Sequence, residues 1–139
     1  IIKFRTMVPD AERLTGAVWA GREDSRVTPI GRWLRRTHLD ELPQVFNILR
    51  GEMSIVGPRP ERPEFVGYLA RNIPYYRARH SVRPGLTGWA QIHQSYGDTV
   101  ALAQEKLEYD LFYVKHASLL LDTLIMLRTV AMVFGLRGR

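Results

Sequence analysis

The sequence predicts a small soluble domain of mixed α/β class, with helices dominant and strands short. Its 139 residues suffice for one hydrophobic core, and 45% apolar against 24% charged residues is typical of a globular chain. Apolar residues recur mostly at helical spacing, and only short runs have the composition of strands. The segment 117–136 is strongly apolar and predicts a C-terminal amphipathic helix.

The composition excludes several classes of protein. No cysteine is present, which excludes disulfide scaffolds, thiol nucleophiles and cysteine-ligated metal centres. The four histidines lie too far apart for a helical metal site, and the glycine motifs of phosphate loops and dinucleotide folds do not occur. Lys and Arg exceed Asp and Glu by 20 to 14, a net charge of +6. Because nearly all the cations are arginines, phosphate-bearing partners are favoured: nucleic acid, an anionic membrane or a nucleotide.

The first part of the chain predicts one strand and one helix. Residues 1–5 have the composition of a strand that began upstream, which indicates a fragment of a longer chain. Residues 8–26 predict a loop with a helical turn. Thr28 and Pro29 are a typical N-cap and first helical residue. This helix is expected to bury its apolar residues, namely Ile30, Trp33 and Leu34.

A second helix is predicted from about Asp40, because apolar residues recur at helical spacing after it. Pro43 is expected in its first turn, where the missing N–H costs least. Its predicted buried face consists of Leu42, Val45, Phe46 and Leu49.

The rest of the chain predicts two strands and three helices. The strands are expected at 53–56 and 89–92, the second after a loop at 83–88. A helix is predicted over 62–73, and its buried residues are Phe65, Val66, Leu69 and Ile73. Asp98 is expected to cap the next helix. The buried face of that helix is predicted to hold Val100, Ala103, Leu107, Leu111 and Val114.

The motif with the clearest chemistry is the carboxylate pair Asp40–Glu41 at a predicted helix start. Adjacent residues diverge by about 100° around a helix, so the two are poorly placed as a facing acid–base pair. The N–H groups and dipole of a helix start favour the ionised carboxylate. An ionised aspartate can attack phosphorus, and both carboxylates can hold Mg²⁺. Helix capping alone explains the same residues, and spacing alone favours capping over catalysis.

Two basic motifs are candidates for anion binding. In Gly57-Pro58-Arg59-Pro60 the prolines restrict the backbone on both sides of Arg59, so little entropy is lost when its guanidinium binds an anion. A rigid surface turn is the alternative. In the segment 3–5, strand alternation sends Lys3 and Arg5 to one face, a pattern that an exposed edge strand would also show.

The C-terminal segment has nearly the length of a membrane span. However, Asp122 and Arg128 lie within it, and each would cost about 2.5–3.5 kcal/mol at a bilayer centre. Its polar residues fall largely on one arc of a helix. This pattern predicts a helix lying in a membrane interface, with a core helix of a soluble domain as the alternative.

Four motifs occur in order along nearly the whole chain. They are Lys3-Phe4-Arg5-Thr6-Met7, Asp40-Glu41-Leu42-Pro43-Gln44, Gly57-Pro58-Arg59-Pro60 and Pro84-Gly85-Leu86-Thr87-Gly88-Trp89-Ala90-Gln91. With these motifs the chain resembles the bacterial sugar transferases, the monotopic phosphoglycosyl transferases that act on polyprenyl phosphate. The runs 61–65 and 106–110 are most similar to the exopolysaccharide-biosynthesis branch of that family.

The resemblance implies a reaction and a set of site residues. A sugar 1-phosphate would move from a nucleotide diphosphate sugar, usually a UDP-sugar, to undecaprenyl phosphate. The implied mechanism requires Mg²⁺ and a covalent phosphosugar intermediate on Asp40, with Glu41 as its partner in metal binding. The residues implied in substrate and phosphate binding are Lys3, Arg5, Gln44, Arg59, Glu61, Arg83 and Asp110.

The resemblance also implies a place at the cytoplasmic face of the bacterial inner membrane, on an anionic lipid surface. Family members begin with a re-entrant membrane helix, which these residues do not include, so we expect 1–139 to be the catalytic domain of a longer protein. Residues 93–98 depart from the Asn-Gly-Arg run of many relatives, so the sugar is not implied. A homo-oligomer is one option for the assembly.

Two other functions are weighed against this one. An arginine-rich nucleic-acid-binding module would explain the charge, but the aromatic–basic strand motif of RNA binders is not found, so we expect no nucleic-acid partner. A catalytically inactive scaffold domain in a polysaccharide assembly complex is the second alternative. The intact Asp40, Glu41 and Arg59 argue against it.

Overall fold

A computed structural model describes residues 1–13, 16, 18, 24–93, 99–133 and 135. The chain divides into two compact units, Ile1–Arg50 and Gly51–Arg139. Helices dominate and two short strands form a parallel sheet, which confirms the predicted class. Within the described ranges, no helix has both the length and the apolar character needed to cross a membrane.

The N-terminal unit contains helix α1 (Pro29–Arg36), a 3₁₀ turn (Leu39–Glu41) and helix α2 (Gln44–Leu49). The predicted start of α1 is confirmed. The Thr28 hydroxyl caps this helix by accepting a hydrogen bond from the Gly31 N–H at 2.9 Å, which satisfies one of the unpaired donors of the first turn.

The predicted buried face of α1 is wrong. Ile30 and Trp33 are exposed and Leu34 is half-buried. Gly31 is the buried residue of the helix, and a Cβ at this position would collide with the backbone carbonyl of Thr6. A close backbone approach that only glycine allows therefore orients α1, and the bulky side chains face outward.

Helix α2 begins at Gln44, later than predicted, and Pro43 directly precedes it. Its predicted buried face is also wrong, because the exposed side chains are Leu42, Val45, Phe46 and Leu49. Gln44 and Asn47 are buried instead. The Asn47 Oδ1 accepts a hydrogen bond from the Ile2 N–H at 2.9 Å. The polar face turns inward because it satisfies backbone groups of the opening segment.

The opening segment is not a strand, contrary to the prediction. In the described part of the unit, its ladder pairing is limited to an isolated antiparallel bridge between Met7 and Val27. The Phe4 N–H donates to the Asp40 carbonyl at 3.0 Å, and this carbonyl lies in the 3₁₀ turn. Because residues 1–5 bond to helical segments, they cannot form the repeated pairing of a strand.

The sheet of the C-terminal unit pairs β1 (Ser54–Val56) with β2 (Gly85–Thr87) in parallel. The prediction of β1 is confirmed. The prediction of a strand at 89–92 is wrong, because β2 lies in the expected loop and Trp89–His93 forms helix α4. Glycine is depleted in strands, which concealed β2. It forms here because Gly85 lets the two backbones approach closely.

Helix α3 (Pro63–Asn72) confirms its prediction, with Leu69 and Ile73 buried and its two other predicted core residues half-buried. A 3₁₀ helix (Tyr76–Ser81) follows it. Two long helices complete the unit, α5 (Val100–His116) and α6 (Leu119–Val133).

The predicted cap of α5 is wrong. The Thr99 hydroxyl accepts a hydrogen bond from the Leu102 N–H at 3.2 Å and caps the helix, whereas Asp98 lies outside the described residues. On the predicted face of α5, Leu107 is buried. One cluster of buried apolar residues in the unit comprises Val56, Ile92, Tyr113 and Ile125.

Candidate functional site

The Asp40–Glu41 pair lies on a 3₁₀ turn that follows a left-handed residue. His38 has a φ of 57°, a conformation that is uncommon outside glycine and that clusters at functional sites. The chain then turns tightly, and Asp40 and Glu41 are only 8% and 9% exposed. Carboxylates are seldom buried to this extent unless they have a partner or a function.

The two carboxylates differ in their contacts. Glu41 Oε1 lies 3.8 Å from Nζ of Lys3. No hydrogen bond or ion pair joins the Asp40 carboxylate to another described residue of the N-terminal unit. Lys3 therefore offsets the charge of Glu41, and the role of Asp40 as the nucleophile stays a prediction.

The other predicted site residues are divided between the units. Gln44 is buried and Arg5 is exposed in the N-terminal unit. The C-terminal unit holds Arg59, Glu61, Arg83 and Asp110. Within the N-terminal unit the structure therefore brings Lys3 to Glu41, and the substrate-binding roles of the residues in the C-terminal unit stay predictions.

A buried ion pair connects two of the C-terminal candidates. The Arg79 guanidinium contacts the Asp110 carboxylate through Nη2 at 2.7 Å and Nε at 2.9 Å, and both side chains are almost fully buried. Its Nη1 donates to the Tyr76 hydroxyl at 2.9 Å, and its Nη2 also donates to the backbone carbonyl of Arg59 at 2.7 Å. Burial raises the pKa of the Asp110 carboxyl, and the Arg79 charge opposes this rise.

A second ion pair extends this cluster. Lys106 Nζ lies 3.6 Å from Glu61 Oε2. Burial, and then the charge of Arg79, lowers the pKa of Lys106 below its ordinary value, and the charge of Arg59 acts in the same direction. Among the described residues, the charges that act on Lys106 are therefore those of two arginines, Arg79 and Arg59, and two carboxylates, Glu61 and Asp110.

The turn that carries Arg59 is fixed at successive residues. The Gly57 N–H donates to the Thr87 carbonyl at 2.9 Å, and the Pro58 carbonyl accepts from the Gly85 N–H at 3.0 Å. A Cβ on Gly57 would collide with the backbone where β2 begins, so this crossing requires glycine. The Arg59 residue is half-buried. The exposed Arg83 lies just before this crossing, at the approach to β2.

Arg79 and Lys106 are functional candidates that the sequence analysis did not identify. Lys106 and Asp110 are four residues apart in α5, so their common face was a signal available in the sequence. Arg79 carries no such signal, since Arg77 lies only two residues before it and arginines are mostly exposed. Only the fold buries one and exposes the other.

Helix α6 turns its polar arc toward the unit. Asp122 Oδ1 accepts a hydrogen bond from the Tyr113 hydroxyl at 2.8 Å, and the hydroxyls of Thr87 and Thr129 lie 2.7 Å apart. Ile125 is fully buried. The opposite arc is exposed and apolar; its residues include Leu119, Leu120, Leu124, Leu127 and Val133.

The chain matches the bacterial sugar transferase family over residues 1–136, and it belongs to that family. It is 45% identical to the UDP-N-acetylgalactosamine-undecaprenyl-phosphate N-acetylgalactosaminephosphotransferase of Aeromonas hydrophila, over 99% of this chain and 33% of that protein. It is 46% identical to the undecaprenyl-phosphate glucose phosphotransferase of Komagataeibacter xylinus, over 94% of this chain and 25% of that protein. The predicted family resemblance is confirmed.

A third relative is the exopolysaccharide production protein PSS of Rhizobium leguminosarum bv. phaseoli, which is 40% identical over 94% of this chain and 68% of that protein. The chain spans only 33% and 25% of the length of the first two relatives. Those two are named for different sugars at nearly equal identity, so similarity does not select the sugar.

Proposed function

We propose that this chain is the transferase domain of an enzyme that moves a sugar 1-phosphate from a UDP-sugar to undecaprenyl phosphate through a phosphosugar carried on Asp40. One observation carries the proposal. In a member of the bacterial sugar transferase family, Asp40 is largely buried and has no ionic partner within its own described unit, while the adjacent Glu41 is paired with Lys3. The donor and acceptor classes follow from the names of the relatives.

The proposed chemistry has two displacements at one phosphorus. A carboxylate oxygen of Asp40 attacks the phosphorus that carries the sugar, the bond from this phosphorus to the bridging oxygen breaks, and UMP leaves with the electron pair. An oxygen of undecaprenyl phosphate then attacks the same phosphorus, and the bond to Asp40 breaks. Such transfers depend on positioning and charge stabilisation.

The Asp40–Glu41 donor set fits Mg²⁺. In the described ranges, no three His, Asp or Glu side chains are grouped to hold a metal ion. Mg²⁺ usually takes one or two protein carboxylates together with substrate phosphates, and this pair supplies that number. When bound there, the ion would offset the charge of the donor diphosphate.

Mass spectrometry tests the proposal. The full-length protein is incubated with Mg²⁺ and a panel of UDP-sugars and is then digested. We expect an adduct of one sugar phosphate on the peptide that contains Asp40, and the sugar that reacts identifies the donor. Release of UMP without an adduct, or an adduct on a different residue, would contradict the role of Asp40.

Glu41→Gln is expected to weaken the Mg²⁺ dependence and the rate together. The amide keeps the size of the side chain and a carbonyl oxygen but loses the charge that attracts a hard cation. Transfer is measured across a Mg²⁺ titration. Glu52→Gln is the matched control, because it makes the same change at an exposed glutamate. A titration midpoint identical to that of the wild type would exclude Glu41 from metal binding.

Arg59→Lys is expected to lower kcat/KM for the UDP-sugar. Lysine keeps the charge but loses the two-pronged geometry that matches a phosphate. A charge-assisted hydrogen bond contributes about 1.5–3 kcal/mol, so the loss is expected to be roughly ten- to hundredfold. Arg71→Lys makes the same change at an exposed arginine of the same unit and serves as the control. If both variants behave like the wild type, Arg59 is only a surface residue on a rigid turn.

We further propose that the exposed apolar arc of α6 lies in the interface of an anionic membrane. Deleting the helix is a poor test, because Ile125 belongs to the core. The double variant Leu120→Gln, Leu127→Gln changes only exposed residues and is expected to reduce partition into anionic liposomes about tenfold or more.

Flotation of residues 1–139, with and without these two substitutions, on phosphatidylglycerol-containing liposomes gives the measurement. Tyr75→Asn is the control, since Tyr75 is 84% exposed in the same unit and its left-handed backbone suits asparagine. Equal flotation of the leucine variant and the wild type would show that α6 does not bind the membrane.

A further inference from the structure

We propose that Arg79 is a positioning residue, which holds the carbonyl of Arg59 and so aims the Arg59 guanidinium at a phosphate of the nucleotide-sugar donor. Asp110 in turn holds Arg79. This inference rests on the proposed function, because it assigns Arg59 a phosphate ligand. It adds a residue that neither the motifs nor the comparisons identify.

Arg79 is placed in an unusual way for an arginine. The residue is 2% exposed, and a guanidinium is almost never buried so completely unless several partners satisfy it. Nε and Nη2 contact one carboxylate oxygen of Asp110, and Nη1 contacts the Tyr76 hydroxyl. The remaining bond, from Nη2 to the Arg59 carbonyl at 2.7 Å, connects this pair to the loop before α3.

The Arg59 turn needs this donor because of its sequence. Pro58 and Pro60 have no N–H group, so neither proline can contribute a backbone donor to the turn. The Gly57 N–H and the Pro58 carbonyl are bonded to β2. The Arg59 carbonyl is bonded to Arg79. Each of the three consecutive residues 57–59 thus has a backbone group in a hydrogen bond. For Arg59, the donor of this bond is the side chain of Arg79.

This arrangement does more than fill the interior. Buried ion pairs are a poor source of stability, because the cost of removing both charges from water offsets most of their attraction. They are useful where an orientation has to be fixed. With the backbone held at residues 57–59, Arg59 loses mainly side-chain freedom when a phosphate binds, so a larger share of the interaction appears as affinity.

A double-mutant cycle on transfer activity tests the inference. Arg79→Lys keeps one charge but cannot reach the carboxylate, the phenol and the carbonyl together. If Arg79 acts through Arg59, this change should lower kcat/KM for the UDP-sugar about tenfold in the wild-type background. In the Arg59→Lys background, where the two-pronged guanidinium of Arg59 is already lost, Arg79→Lys should lower kcat/KM less than about twofold.

Tyr76→Phe is the matched control, because it removes another hydrogen bond of Arg79 and leaves the contact with Arg59 in place. It should leave kcat/KM within about twofold of the wild type. Should Arg79→Lys fail to fold, the pair Arg79→Met with Asp110→Leu replaces it in the cycle, since this pair removes the contact with Arg59 without leaving a buried charge.

The outcomes separate the inference from the proposed function. Suppose that the wild type is active but the losses in kcat/KM from Arg79→Lys and Arg59→Lys multiply independently, or that Tyr76→Phe is as impaired as Arg79→Lys. Either result would show that Arg79 has a general structural role, and it would overturn the inference alone. A full-length wild type that transfers no sugar phosphate from any UDP-sugar would overturn the proposed function and the inference with it.

Discussion

Asp40→Asn should abolish sugar phosphate transfer while the protein stays folded. The amide has nearly the same shape as the carboxylate and breaks no hydrogen bond that the structure shows for the Asp40 side chain, but it cannot form the acyl phosphate. Loss of a nucleophile typically lowers kcat by about four orders of magnitude or more. UMP release from the UDP-sugar and formation of the lipid-linked product are both measured, because each requires the covalent step.

The control for this variant is Asp10→Asn. It makes the same chemical change at an exposed carboxylate of the same unit, where asparagine also tolerates the backbone φ of 59°. Circular dichroism and thermal unfolding should be unchanged in both variants. If the folded Asp40→Asn enzyme has near-normal turnover, Asp40 is not the nucleophile. In that case mass spectrometry of the wild type should find no sugar phosphate on the peptide that contains Asp40.

The local elements of this fold were predictable where capping and spacing agree. Thr28 and Pro29 fixed the start of α1, and the runs at β1 and α3 lie where the pattern indicated. The strand β2 could not be predicted, because its residue Gly85 is unfavourable in a strand by itself. Glycine becomes favourable there only because a second backbone, that of Gly57, passes close by.

Burial was predicted less well than the elements, and for one shared reason. The rule that an apolar face points inward failed for α1 and α2. The same rule did not predict that the polar arc of α6 faces the rest of its unit, where it forms hydrogen bonds with Tyr113 and Thr87. In each case polar groups or a glycine make the specific inward contacts, and large apolar side chains stay exposed. Such a reversal is typical of proteins that meet an apolar partner or a membrane.

The candidate site was predictable only in part. The carboxylate pair and the Arg59 turn were identified from short-range features, namely adjacent acids and bracketing prolines. The contacts of Lys3 with Glu41 and of Arg79 with Asp110 join residues far apart in sequence. No local pattern encodes such pairs, because they arise only when the fold brings separate elements together.

Removing the partner of a buried charge should have the largest effect on stability. Asp110→Leu is expected to lower the free energy of unfolding by about 3–5 kcal/mol, because it leaves the Arg79 guanidinium buried without a counter-charge. In the wild type the two groups are 2.7 Å apart and their side chains are 1% and 2% exposed. Urea unfolding followed by circular dichroism gives the measurement.

A second variant distinguishes the effect of the uncompensated Arg79 charge from a simple loss of packing. If the cost of Asp110→Leu comes from the uncompensated charge, adding Arg79→Met should recover most of it, since an apolar pair fills similar volume without desolvated charge. Tyr76→Phe, which removes one neutral partner of Arg79, should cost only about 1 kcal/mol. A double variant that is less stable than Asp110→Leu alone would mean that Arg79 stabilises the unit through its other contacts, with the Arg59 carbonyl first among them.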